Sequence, residues 1–209
     1  MHNGHIIGGE ALVRWQNDKE MIYPDQFIPV LEKNGYVIDV DNFIWNKVCA
    51  CIKMMEDEGI EPVPISVNVS RMHVYQEKFT ENLKNMAGEY GIDPKYIPLE
   101  ITESAFTKEE GSLFKKVQSL QGYGFKFSMD DFGSGYSSLG MLKSERVDEV
   151  KIDKTFVDDI ATDKGKVLLG NVIRMINELG IDMIAEGVET KEQADFLKEN
   201  GCMYAQGYY

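Results

Sequence analysis

The sequence holds little from which a thiolate or imidazole site could be made: three cysteines and three histidines among 209 residues. Cys49 and Cys51 lie two apart in a helix-like segment and so face different ways, and Cys202 is far from both. His2, His5 and His73 have no metal-ligand spacing, so neither a disulfide framework nor a zinc centre is expected. This cysteine usage fits the cytoplasm. No apolar run approaches a bilayer span, and the start at Met1 has no leader character. Basic residues are also few, with 22 Lys and Arg against 35 Asp and Glu and a net charge of −13. Such a chain lacks the basic stripe that a polynucleotide requires. A small phosphorylated ligand is still compatible, because bound divalent cations reverse the local field. Internal repeats, low-complexity tracts and interdomain linkers are absent as well.

What is present is a length suited to one substantial core, with 43% hydrophobic residues. Apolar periodicity alternates between strand and helix. Strands are expected at Ile6–Trp15, Pro64–Val69, Leu99–Thr102, Phe125–Met129, Val147–Ile152, Asp182–Ala185 and Cys202–Tyr204. Helices are expected around Gln26–Glu32, at Asp39–Glu58 (with Phe43, Ile44, Val48, Ile52 and Met55 at helical spacing), Phe79–Tyr90, Lys108–Gly122, Lys164–Leu179 and Gln193–Glu199. Repeated strand–helix units imply a parallel sheet covered by helices. Seven strands are one short of a closed (β/α)8 barrel. An open doubly wound sheet is the alternative, disfavoured because no Gly-rich phosphate fingerprint follows a first strand.

The strands finish on polar residues that buried strands otherwise avoid. In order these are Glu10, Asn68, Glu100 with Glu103, Asp130 with Asp131, Lys151 with Asp153, Glu186 with Glu189, and Gln206. In a barrel such ends meet on the face where active sites sit. Carboxylates and an amide oxygen, without histidine or thiolate, suit Mg²⁺ or Mn²⁺. Their number suggests two ions, which at about 3.5–4 Å apart clamp a phosphoryl group and activate water for in-line attack. Asp130 or Asp131 would bridge them, although Asp131 could equally cap a following turn. Lys151 would position the water or balance charge; a salt bridge across the barrel mouth is its structural alternative. Arg14 suits a phosphate contact, or else stacks on Trp15. Gly133 and Gly135 suit a loop able to close over the site.

Glu10-Ala11-Leu12-Val13-Arg14-Trp15 opens an ordered series of motifs. It continues through Val67-Asn68-Val69-Ser70, Leu99-Glu100-Ile101-Thr102-Glu103-Ser104, Asp130-Asp131-Phe132-Gly133, Lys151-Ile152-Asp153, Ala185-Glu186-Gly187-Val188-Glu189-Thr190 and Gln206-Gly207-Tyr208. Over essentially its whole length, 1–209, the chain resembles EAL-type cyclic-di-GMP phosphodiesterase domains. The resemblance implies a TIM-like α/β barrel, here without the family's first strand and C-terminal closing segment. It implies hydrolysis of cyclic di-GMP to linear pGpG with two Mg²⁺ or Mn²⁺ ions, Ca²⁺ being inhibitory. Glu10, Asn68, Glu100 and Asp130 would hold one ion, and Asp130, Asp131 and Glu186 the other. Lys151 would contact the water, making Glu10, Lys151, Glu186 and Asp131 the catalytic set. Leu12, Arg14, Asp153, Glu189 and Gln206 would bind substrate or support the site. Glu103 would hold the loop containing Phe132, Gly133, Ser134 and Gly135, which the family places near a homodimer interface. Linked sensory or diguanylate-cyclase domains would belong to a longer parent protein.

Two other functions fit the same residues. One is a receptor that binds cyclic di-GMP without cleaving it, incomplete barrel closure being the cause. The other is a Mg²⁺-dependent carbanion enzyme with Lys151 as base.

Overall fold

Ile6–Ile101 and Glu109–Lys126 build one compact unit, and Met1–His5, Thr102–Lys108 and Phe127–Tyr209 build a second. The computed structural model describes residues 1, 4–17, 20–102, 110–133, 142 and 147–209, the side chains of 110–112 excepted.

In the first unit, β1 (Gly9–Ala11) lies parallel to β4 (Ile65–Asn68), with Glu10 opposite Ser66. In turn β4 lies parallel to β5 (Leu99–Thr102, of which Leu99–Ile101 belong to this unit), with Asn68 opposite Glu100. The long first strand expected from the sequence is therefore three residues, because Ile6 and Ile7 are exposed and give it no face to bury. Trp15 belongs instead to a small antiparallel hairpin, β2 (Trp15–Gln16) with β3 (Met21–Ile22), where its ring meets Phe27 edge-on at 5.6 Å.

Five helices accompany these strands among the described residues: α1 (Pro24–Asn34), α2 (Val37–Asp57), α3 (Arg71–Tyr75), α4 (Phe79–Tyr90) and α5 (Glu110–Gln121). Pro24 opens α1, where a missing N–H costs nothing, and Gly35 at φ 84° closes it. The buried stripe of α2 runs Val37, Asp41, Trp45, Val48, Cys49 and Ile52 at helical spacing. Phe43, expected on that face, is 57% exposed, since two residues from Trp45 is the far side of a helix.

The second unit repeats the scheme with β6 (Phe127–Phe132), β7 (Glu149–Ile152), β8 (Asp182–Ala185) and β9 (Tyr204–Ala205), each parallel to the next. Its last strand starts two residues later than expected, because Cys202 is buried and its thiol donates to the Tyr204 carbonyl at 3.4 Å. Helices α6 (Lys154–Asp158), α7 (Asp163–Glu178) and α8 (Lys191–Glu199) follow the strands. Thr190 and Gln193 form a reciprocal capping box that starts α8. None of the described helices is long and apolar enough to cross a membrane.

Candidate metal centre

Adjacent residues of a regular strand point to opposite faces, so Asp130 and Asp131 should diverge. They do not. Met129 pairs with Val150 and Phe132 with Ile152, so β6 carries one more residue than β7 across this interval. Asp131 takes φ 57° at this bulge, a left-handed conformation that aspartate tolerates better than most residues. As a result Asp130, Asp131 and Glu186 offer carboxylate oxygens all within 4.8 Å of one another. Glu186 directly follows β8, and its N–H donates to the Ile152 carbonyl at 2.9 Å.

Such crowding needs a counter-charge. Lys151, on β7 between β6 and β8 and 2% exposed, places Nζ 2.7 Å from Glu186 Oε1 and 3.4 Å from Asp130 Oδ1. The salt-bridge reading of Lys151 is thus present in this unit. Asp130 Oδ1 is buried with that longer approach and no hydrogen bond. Clustered carboxylate oxygens, one lacking a hydrogen-bond donor, fit a hard divalent cation of the Mg²⁺ or Mn²⁺ type.

The first unit gathers a second set. Asn68 Nδ2 donates to Glu10 Oε1 at 3.1 Å, and Glu100, 2% exposed, sits opposite Asn68 in the β4–β5 register. The turn after Asn68 is fixed from three sides. Trp45 Nε1 donates to the Asn68 carbonyl at 3.0 Å, Val69 N to the Glu100 carbonyl at 2.9 Å, and Ser70 N to Asp41 Oδ2 at 3.1 Å. Burial pushes the Asp41 carboxyl up to about 6, and nearby Glu32 adds to this, while the hydrogen bond from the Ser70 N–H works against it. Burial pushes His73, whose Nδ1 is 3.9 Å from Asp41 Oδ2, down to about 4. Trp45 and Asp41 carried no motif and were not singled out by the sequence, and His73 was expected to be an ordinary surface or core residue; all three are buried.

The remaining expected residues have diverse placements. Leu12 is 49% exposed. Arg14 is exposed, donates to the Val13 carbonyl at 2.8 Å and lies 5.9 Å over the Tyr23 ring rather than on Trp15. Asp153 caps α6 by accepting from Thr155 N at 2.9 Å, so one of its oxygens is already engaged. Glu189 accepts from Lys154 Nζ at 3.1 Å, a partner that no sequence motif suggested. Gln206 is exposed, and its N–H donates to the Ala185 carbonyl at 2.8 Å. Phe132 is buried, and Gly133 adopts φ 98° against Phe156. Glu103, Ser134 and Gly135 lie outside the described residues.

Parallel β/α units with carboxylates and an amide at their strand ends are features of the TIM-like class of α/β domain. The EAL domain profile matches residues 1–209, and the chain belongs to that family. It is 35% identical over 208 residues to the oxygen sensor protein DosP of Escherichia coli K12, covering 99% of this chain and 26% of DosP. It is 32% identical over 208 residues to the bifunctional diguanylate cyclase/cyclic di-GMP phosphodiesterase MucR of Pseudomonas aeruginosa PAO1, covering 99% of this chain and 30% of MucR. A solved structure of PaMucR phosphodiesterase in complex with c-di-GMP matches with a TM-score of 0.92 and 32% identity, over 99% of this chain and 84% of that one. The fold is therefore TIM-like, and the chain spans less than a third of either curated relative.

Proposed function

We propose that the chain is a divalent-metal-dependent phosphodiesterase domain, extending over 1–209, that hydrolyses cyclic di-GMP to linear pGpG. The observation that carries this reading is the convergence of Asp130, Asp131 and Glu186 around buried Lys151. The similarity to MucR, named as a cyclic di-GMP phosphodiesterase and solved as a c-di-GMP complex, supports this choice of substrate.

Asp130, Asp131 and Glu186 would hold one cation, and Glu10, Asn68 and Glu100 are the candidate ligands of a second. Bound Mg²⁺ or Mn²⁺ would neutralise phosphoryl charge and lower the pKa of water. Lys151 Nζ, fixed by two carboxylates, would hold the attacking water by donation or meet the charge that builds on the phosphoryl oxygens. Arg14 would leave the Tyr23 ring to pair with a substrate phosphate. Leu12, Asp153, Glu189 and Gln206 would line or brace the substrate site, and Glu103 with the loop from Phe132 to Gly135 would control it. A second copy of the chain, linked regulatory domains and the cytoplasm are the partners and setting this reading carries.

Incubating purified protein with cyclic di-GMP and Mg²⁺ or Mn²⁺ tests the reading. Linear product that disappears on Asp130→Ala supports it. Tight binding without product over hours would favour the receptor function instead.

A further inference from the structure

We propose that Trp45 is a positioning residue that sets divalent-cation affinity through Asn68; the inference rests on the metal-dependent reading above. The Asn68–Val69 peptide is clamped at both ends. Its carbonyl accepts from Trp45 Nε1 at 3.0 Å, and its N–H donates to the Glu100 carbonyl at 2.9 Å. A peptide plane held on both sides has little freedom to rotate, and the Asn68 side chain leaves from that plane's own Cα. Asn68 Nδ2 is then directed to Glu10 Oε1 at 3.1 Å, which leaves Oδ1 as the ligand atom.

The clamp is itself anchored. Trp45 is 2% exposed, and its ring lies 4.3 Å from that of His73 and 6.3 Å from that of Phe79, so the indole cannot swing away. Phenylalanine would fill most of this volume but has no N–H. The Asn68 carbonyl would lose its donor and the strand end would loosen. Groups that orient a ligand from behind typically change metal affinity about 10- to 100-fold when removed.

Mn²⁺ binding to the whole chain, read by electron paramagnetic resonance, tests the proposal. Trp45→Phe should weaken binding about tenfold, with hydrolysis recovering at saturating Mn²⁺. In an Asn68→Ala background the same change should cause no further loss. Unchanged affinity in Trp45→Phe, or an equal loss in the Asn68→Ala background, overturns it. Should Trp45→Phe not fold, Trp15→Phe leaves Trp45 as the sole indole of the chain's two. Its emission should then change on Mg²⁺ titration with the midpoint of binding, and a flat titration overturns the proposal. A wild type that binds no Mn²⁺ sinks the metal reading itself, and this inference with it.

Discussion

Asp130 and Asp131 are consecutive in β6, yet each presents a carboxylate oxygen within 4.8 Å of one on Glu186. The extra residue in β6 and the left-handed backbone of Asp131 make this possible. The site thus depends on one backbone conformation as much as on three acids.

That dependence separates backbone from charge. Asp131→Ala and Asp131→Gly both remove the carboxylate, so both should abolish turnover. Only alanine bears the steric penalty of φ 57°, so the glycine variant should be more stable by about 1 kcal/mol. Urea unfolding of the two variants checks this; equal stability would mean that the bulge relaxes once the acid is gone.

Lys151 should be replaceable by cation in stability but not in catalysis. Lys151→Met leaves Asp130 and Glu186 without their shared ammonium. It should cost about 3–5 kcal/mol in metal-free buffer and at least tenfold in turnover. Mn²⁺ should raise the melting temperature of the variant more than that of the wild type. Ca²⁺, which tolerates looser coordination, should bind without supporting turnover.

Most of the strand and helix order was legible because periodicity is local, as at Asp182–Ala185, whereas the short helices α3 and α6 and the β2–β3 hairpin were not expected. The acids of the site were legible because buried strands rarely end on them. The bulge was not, since one extra residue leaves hydrophobic content unchanged and shows only in pairing with β7. Nor was the buried face of α2, where Phe43 and Trp45 are both large and apolar and tertiary contact decides which turns inward. Asp153 shows the converse. Its motif suggested substrate, while its place two residues before Thr155 is also a helix-capping signal, and the structure uses that.

Asp41 and His73 should have opposing pH effects. Asp41 is raised from 3.8 to about 6, so its contribution to stability is present at low pH and lost as pH rises from about 4 to 6. His73 is lowered from 6.5 to about 4, so its contribution is present above 6.5 and lost as pH falls toward 4. In the wild type the two slopes offset between about pH 4 and 6. His73→Gln should expose a stability that declines as pH rises through this window, and Asp41→Asn one that increases, each by roughly 2–3 kcal/mol. Denaturant unfolding at several pH values reads both slopes; parallel slopes in the two variants would contradict the assignment.

Gly133 couples the end of β6 to α6. A Cβ there would lie 1.8 Å from the Phe156 ring, at φ 98°. Gly133→Ala should destabilise the fold by about 1–3 kcal/mol, and Phe156→Ala should relieve the clash but not the backbone strain. A double-mutant cycle on melting temperature should therefore show partial rescue.

The most direct measurement is Mn²⁺ binding by the wild type and by Glu186→Gln, followed in the same samples as cyclic di-GMP hydrolysis. Glu186→Gln keeps the side-chain shape but removes the negative charge that pairs with Lys151 beside the two aspartates. The wild type should bind Mn²⁺ and release linear product, and the variant should lose both together. Hydrolysis by the wild type that persists after chelation, or unaltered Mn²⁺ binding in the variant, would contradict the account.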